Sequence, residues 1–225
     1  MSEQDTSFRG TMPIEREPVL RYSFQERIMH WFAGLAFVYL LLSGLALFTP
    51  HLYWITSVLG GGPTIRYWHP WIGLVFVFAM IWMHAVWRSD MRTTDADRAW
   101  NREVKKYIEN RDDDVPPAGR FNSGQKQFYW VMIFGLILLL LSGIVMWIPE
   151  YIPWSLRTLR PIAVIIHEIA ALITIGAFII HVYMGVFLVP GSLRAIVRGS
   201  VSRGWARAHH QLWYDRIAGP SAPKK

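Results

Sequence analysis

Four apolar stretches dominate the chain, at about Ile28 to Phe48, Trp68 to Trp87, Phe128 to Ile148 and Ile162 to Val189. Each runs to about 20 residues or more, and at ~1.5 Å rise per residue that crosses a hydrocarbon layer ~30 Å thick. The pattern therefore predicts an all-α protein, an integral membrane four-helix bundle occupying residues 28–189. A polar segment, 1–27, precedes the bundle and a basic tail, 190–225, follows it. Within the long middle loop, Asp95 to Asn110 reads as a short amphipathic helix, broken by Asp112 to Asp114 and Pro116-Pro117. Pro190-Gly191 stops the last span, and Ser192 to Ile217 reads as a basic, tryptophan-bearing surface segment.

Four crossings place both termini on one side. Of the 23 basic residues, 20 lie in the N-terminal segment (Arg9, Arg16, Arg21, Arg27), the Arg88 to Lys126 loop or the tail. The two short loops carry only Arg66, Arg157 and Arg160. This positive-inside bias puts the termini and the middle loop in the cytoplasm, as expected of a multi-pass protein of a bacterial inner membrane. Met1 to Asp5 holds Glu3 and Asp5 without a basic run, so no cleaved signal peptide is predicted. Tyr53, Trp54, Trp147, Tyr151 and Trp154 at the outer ends suit an aromatic belt.

Composition narrows the chemistry. The chain of 225 residues is 52% hydrophobic and 17% charged, against roughly 45–50% and 25% in soluble domains. It holds no cysteine, which excludes disulfides, zinc–thiolate sites and an iron–sulfur cluster held by this chain alone. Metal chemistry falls to histidine. The net charge of +7 is accounted for by the cytoplasmic loops, and no nucleic-acid partner is called for.

Five of the eight histidines lie inside the spans: His30, His69, His84, His167 and His181. Glu168 is the only lysine or acid among them. Ionisable groups in the bilayer are costly, so a cluster of this kind points to a metal or proton role. His167 and His181 stand 14 residues apart, close to four helical turns, so they share a face about 21 Å apart along the axis. That is too far for one metal ion, but it suits two flat macrocycles, one near each membrane surface, each taking an axial ligand from this helix. At the outer level His69 pairs with His167, since His51 lies beyond the first span. At the inner level both His30 and His84 are deep enough to face His181, and spacing does not choose between them. Two imidazoles on each iron leave no open coordination position, so such haems carry single electrons. Leu42-Ser43-Gly44 and Leu141-Ser142-Gly143 form a weak internal repeat near the outer ends of the first and third spans. Helix packing explains such a repeat; a face turned to a cofactor is the alternative.

Several motifs extend the reading over almost the whole chain. Arg27-Ile28-Met29-His30-Trp31 enters the first span, His69-Pro70 with Gly73 opens the second, and Asn122-Ser123-Gly124-Gln125-Lys126 precedes the third. Ile166-His167 and Ile180-His181-Val182-Tyr183-Met184 mark the fourth, followed by Gly191-Ser192, Val201 to Ala206 and His209-His210. Together with the Leu-Ser-Gly pair they resemble the cytochrome b (gamma) subunits of membrane-bound respiratory formate dehydrogenases. The resemblance implies two haem b groups, the outer on His69 and His167 and the inner on His30 and His181. It also implies a quinone, menaquinone or ubiquinone, reduced near the cytoplasmic side beside Asn122, Gln125 and the second ring nitrogen of His181. Asn and Gln bond a quinone carbonyl without adding charge.

The implied partners are an iron–sulfur beta subunit on the periplasmic face and a molybdenum- or tungsten-containing alpha subunit that oxidises formate, with oligomers of such heterotrimers allowed. Electrons then cross toward the negative side, each against roughly 2.3 kcal/mol per 100 mV. His84 and Glu168 fall outside these motifs. The first reads as a histidine that snorkels or bonds a neighbour, with competition for the inner iron or a proton route as alternatives, and the second as a partly solvated carboxylate or one that influences the outer haem's potential. Two competing readings are the cytochrome b anchor of a nickel–iron hydrogenase or related respiratory reductase, and a haem-free anchor or histidine-relay transporter.

Overall fold

A computed structural model describes residues 18–109 and 115–219. Arg9, Arg16, Glu3 and Asp5, the breaker Asp112 to Asp114 with Asn110, and the tail beyond Gly219 lie outside the described residues. Four long helices account for the apolar stretches: α1 (Phe24–Phe48), α3 (Gly62–Trp87), α6 (Ser123–Trp147) and α7 (Leu159–Tyr183), the last continued by a π-helical turn, Met184–Leu188. All four are long and apolar enough to cross a membrane. Between them lie α2 (Ile55–Val58), α4 (Asp95–Arg102) and α5 (Val104–Ile108), and after them α8 (Ser192–Arg198), α9 (Arg203–His209) and α10 (Gln211–Ala218).

The long helices begin before the apolar runs do, and in α1 and α6 the polar first turn is built around a cap. Ser23 accepts from the Glu26 amide while Glu26 accepts from the Ser23 amide, a capping box. Asn122 and Gln125 make the same reciprocal pair at the head of α6. Helix α3 starts on Gly62 with Pro63 in its first turn, where the missing amide proton costs nothing. Hydropathy marks only the lipid-facing length, whereas the hydrogen-bond ladder runs on into the headgroup zone.

Helices α1 and α3 form one tightly packed hairpin and α6 and α7 a second; the two join through α3 against α6 and, more thinly, α1 against α7. The α6–α7 contact depends on Gly135, where a Cβ would collide with the Thr174 methyl. At mid-depth Phe37 packs on Phe76 and Phe178, ring centres 5.7 and 4.9 Å away. Leu35, Phe78, Phe134, Ile165, Ile173 and Ile180 point outward and are exposed, as lipid-facing side chains are.

The segment expected as a surface tail is instead folded onto one end of the bundle. Strand β1 (Val19–Leu20) pairs antiparallel with β2 (Ser200–Val201), and the Arg21 and Tyr22 amides both donate to the Gly199 carbonyl. Ala206, Trp213 and Tyr214 are buried in the same core as Tyr22, Trp87 and Phe121. The apolar side chains of the tail find partners there that composition cannot reveal. The middle loop is also tied to α1 by charge: Arg120 bridges Glu26 (2.6 Å) and Asp90 (3.0 Å), and Trp87 Nε1 donates to Glu26 at 2.6 Å.

Candidate functional site

The four membrane histidines that the motifs single out meet in two pairs. The His69 and His167 rings lie with centres 6.3 Å apart, and those of His30 and His181 6.0 Å apart. A metal held at about 2 Å from one nitrogen of each ring requires ring centres about 6 Å apart, because each centre lies about an ångström behind its nitrogen. Each of the four is half-buried, on the edge of the bundle rather than sealed within it. The Phe37, Phe76 and Phe178 rings fill the bundle between the two levels. Glu168 is half-buried one residue beyond His167, and His51 sits exposed in the 3₁₀ turn Pro50–Leu52.

At the level of His69 and His167 each imidazole lies against a Ser-Gly step of its hairpin partner. Ser43 Oγ stands 2.7 Å from His69 Nδ1, and Ser142 Oγ 3.0 Å from His167 Nδ1. A Cβ on Gly44 would come to 3.5 Å from His69 Cε1, and one on Gly143 to 3.3 Å from His167 Cε1. The glycines admit the rings and the serines bond them. The Leu-Ser-Gly repeat was legible in the sequence; that both copies touch a histidine was not.

The level of His30 and His181 is built differently. The Phe128 ring stacks on His181 with centres 4.3 Å apart and planes 9° apart, and His30 Nδ1 is buried without a hydrogen-bond partner. His84 turns away from this pair: its Nδ1 is hydrogen-bonded to the Tyr129 hydroxyl and its ring lies parallel to Tyr129, centres 6.1 Å apart. Phe128 and Tyr129 went unnoticed in the sequence, where they are two aromatics among many.

Asn122 is buried at the head of α6, and its amide is engaged: Oδ1 accepts from the Gln125 amide at 2.9 Å and Nδ2 donates to the Tyr107 hydroxyl at 3.4 Å. Gln125 Oε1 accepts from the Asn122 amide at 3.1 Å. The motif Asn-x-x-Gln before an apolar run is itself a capping signature. Next to it, Lys126 is buried and paired with Asp97 at 2.7 Å.

Beyond the membrane end of the bundle, Arg21 is clamped between the loop and the tail. Its Nη2 donates to the Arg120 carbonyl and to His210 Nε2, both at 2.9 Å. His210 Nδ1 donates to the Gly119 carbonyl at 2.8 Å, so the ring is held as the neutral Nδ1–H tautomer. Burial first, then the Arg21 charge, pushes His210 well below the ordinary histidine value.

Two half-buried imidazole pairs at the spacing of axial ligands, at two depths of an apolar bundle, fit haem iron. Their donor set is all nitrogen, and among the described residues no cluster of three or more His, Cys, Asp or Glu offers a rival metal site. The sequence pattern of the prokaryotic cytochrome b561 family matches residues 21–199. The chain belongs to that family. As a membrane cytochrome b it takes haem b as its cofactor, and its four long helices make it a multi-pass membrane protein. This cytochrome is 33% identical over 204 residues to the formate dehydrogenase cytochrome b556(fdo) subunit of Escherichia coli strain K12, covering 90% of this chain and 94% of that one. It is 30% identical over 207 residues to the nitrate-inducible formate dehydrogenase cytochrome b556(Fdn) subunit of the same strain, at 92% and 95% coverage. A formate dehydrogenase cytochrome b556 subunit of Haemophilus influenzae is 32% identical over 197 residues, at 87% and 82%.

Proposed function

We propose that this cytochrome is the dihaem membrane subunit of a formate dehydrogenase in a bacterial inner membrane, with both termini in the cytoplasm. It takes electrons from an iron–sulfur subunit docked on the periplasmic face and delivers them to menaquinone or ubiquinone near the cytoplasmic side. The observation that carries the reading is the pair of histidine couples, 6.3 and 6.0 Å between ring centres. The names of the relatives supply the formate partner, since this chain has no cysteine for clusters of its own. A molybdenum- or tungsten-containing catalytic subunit oxidises formate beyond the iron–sulfur subunit.

His69 and His167 hold the outer haem, His30 and His181 the inner. When bound, the haems supply one-electron transfer across the bilayer. The residues of the chain do the rest. Two imidazoles holding each haem iron would leave no position open, so small molecules would be kept from it. Phe128 fixes the rotation of His181 by stacking. Gln125 spends its carbonyl on the Asn122 amide and keeps its NH2 group for a quinone carbonyl. Asn122, packed beneath it, anchors the head of α6, and the second ring nitrogen of His181 offers a further hydrogen bond to the quinone.

Purified complex tests this directly. A pyridine haemochrome count of two haem b per chain, with formate-dependent quinone reduction, is the expected result. One haem per chain, or a colourless protein, overturns the dihaem reading. Two haems with quinone reduced from hydrogen instead of formate would leave the site standing and move the chain to a hydrogenase.

A further inference from the structure

The two Ser-Gly steps have more in common than their sequence. Ser43 Oγ lies 2.7 Å from the Tyr39 carbonyl and 3.3 Å from that of Leu40, and Ser142 Oγ 2.5 Å from the Leu138 carbonyl and 3.4 Å from that of Leu139. A carbonyl oxygen only accepts, so each hydroxyl proton is donated back along its own helix. The same oxygens stand 2.7 and 3.0 Å from His69 Nδ1 and His167 Nδ1. With its only proton committed, each serine accepts from the imidazole, so Nδ1 carries the hydrogen and Nε2 keeps the lone pair that a metal needs. Ser43 is 0% exposed and Ser142 4%, so water does not compete for these bonds.

The inner pair lacks this device. His30 Nδ1 is buried with no partner at all, and His181 is braced by a phenyl ring. An imidazole whose N–H donates to a good acceptor becomes a more basic ligand and favours the more highly charged metal. The outer ligands are both strengthened in this way; at the inner level His30 is not.

We propose that Ser43 and Ser142 are paired positioning residues that hold His69 and His167 as Nδ1–H tautomers and, by accepting those protons, lower the potential of the outer haem. The Leu-Ser-Gly repeat is then one device used twice, in which serine orients the ring and glycine makes room for it. Its consequence is directional: electrons entering from the outer face meet ligands that favour giving them up inward. The inference rests on assigning the outer haem to His69 and His167.

The test is a redox titration of the intact complex carrying Ser43→Ala, Ser142→Ala or both, with the ferric low-spin EPR signals recorded on the same samples. Alanine keeps the helix and removes only the hydroxyl, which is both the acceptor toward the imidazole and the donor to its own helix's carbonyl. The expected result is two haems per chain, a positive shift in the midpoint of one haem in each single variant, a larger shift in the double, and movement of only that haem's EPR signal. Unmoved midpoints with both haems present, or equal shifts of both haems, overturn the proposal. Should the alanine variants lose a haem, Ser43→Thr and Ser142→Thr decide: restored haem with the native midpoint supports the role, and continued loss overturns it. The ligand assignment fails separately, if His69→Ala and His167→Ala retain both haems.

Discussion

Phe128 lies flat on His181, ring centres 4.3 Å apart and planes 9° apart. A stacked phenyl limits imidazole rotation, and the orientation of an axial imidazole is read directly by ferric EPR. Phe128→Leu keeps an apolar filler without the flat wall. It is expected to change the EPR signal of one haem and leave the other unaltered. Phe128→Ala also removes the packing of a half-buried ring, at less than the cost of truncating a phenyl group in a sealed core, and is expected to lower the thermal midpoint in detergent. Identical EPR spectra in Phe128→Leu would show that the stack plays no part in orienting the ring.

His30 and His84 both lie toward the same end of the bundle as His181, but only the His30 ring comes within 6.0 Å of His181, while His84 is bonded to Tyr129. His30→Ala is expected to remove one haem per chain and abolish quinone reduction, and His84→Ala to retain both haems. A haemochrome count on the two purified variants checks this. Loss of haem from His84→Ala alone would reverse the assignment.

Asn122 caps α6, the family resemblance puts it beside the quinone, and the two roles separate by substitution. Asn122→Ala loses the cap, at about 1 kcal/mol, together with the amide. Asn122→Ser keeps a capping oxygen and loses only the amide. If the amide serves quinone, both variants show impaired quinone turnover with intact haem spectra, and only the alanine variant is less stable. Normal turnover in Asn122→Ser would confine Asn122 to capping.

The fold should weaken in mild acid through His210. Its folded value is depressed by burial and by Arg21, so below the ordinary histidine value of about 6.5 the unfolded chain takes up a proton that the folded chain refuses. The contribution is undiminished above about pH 6.5 and falls as pH drops, by at most about 1.4 kcal/mol per pH unit. Thermal melts between neutral pH and about pH 5 should show this loss, and a His210→Gln variant, which cannot titrate, should show less of it.

Arg120 joins the middle loop to α1 through Glu26, and Glu26 is itself buried. Arg120→Ala takes the countercharge from that carboxylate, leaving it the Trp87 and Ser23 donors, and is expected to cost about 1–3 kcal/mol, less than breaking a fully buried ion pair. A drop in thermal midpoint with unchanged haem spectra would place the damage in the packed end of the bundle.

Much of this molecule could be read along the chain. Hydropathy marked the four helices, and the 14-residue separation of His167 and His181 placed them on one face at two depths, because α-helical periodicity is the same in any protein. Two features were visible without their meaning. Asn-x-x-Gln at residues 122–125 is a local capping signature whose reciprocal bonds the structure displays. Ser43-Gly44 and Ser142-Gly143 stood out as a repeat, but which ring each would touch depends on a helix more than 20 positions away.

The order of residues by itself determined what enters the lipid and at what depth each histidine sits, since rise per residue and apolar length are properties of a single helix. It left His30 and His84 equally eligible to face His181, because depth says nothing about rotation or about which helix is neighbour to which. That was decided by packing. The seating of α1 against α7 and of α3 against α6 turned His30 toward His181 and His84 toward Tyr129. The tail followed the same rule: Trp213 and Tyr214 are buried only because the folded bundle end offers Tyr22, Trp87 and Phe121 to cover them, a surface that exists in no local stretch of sequence.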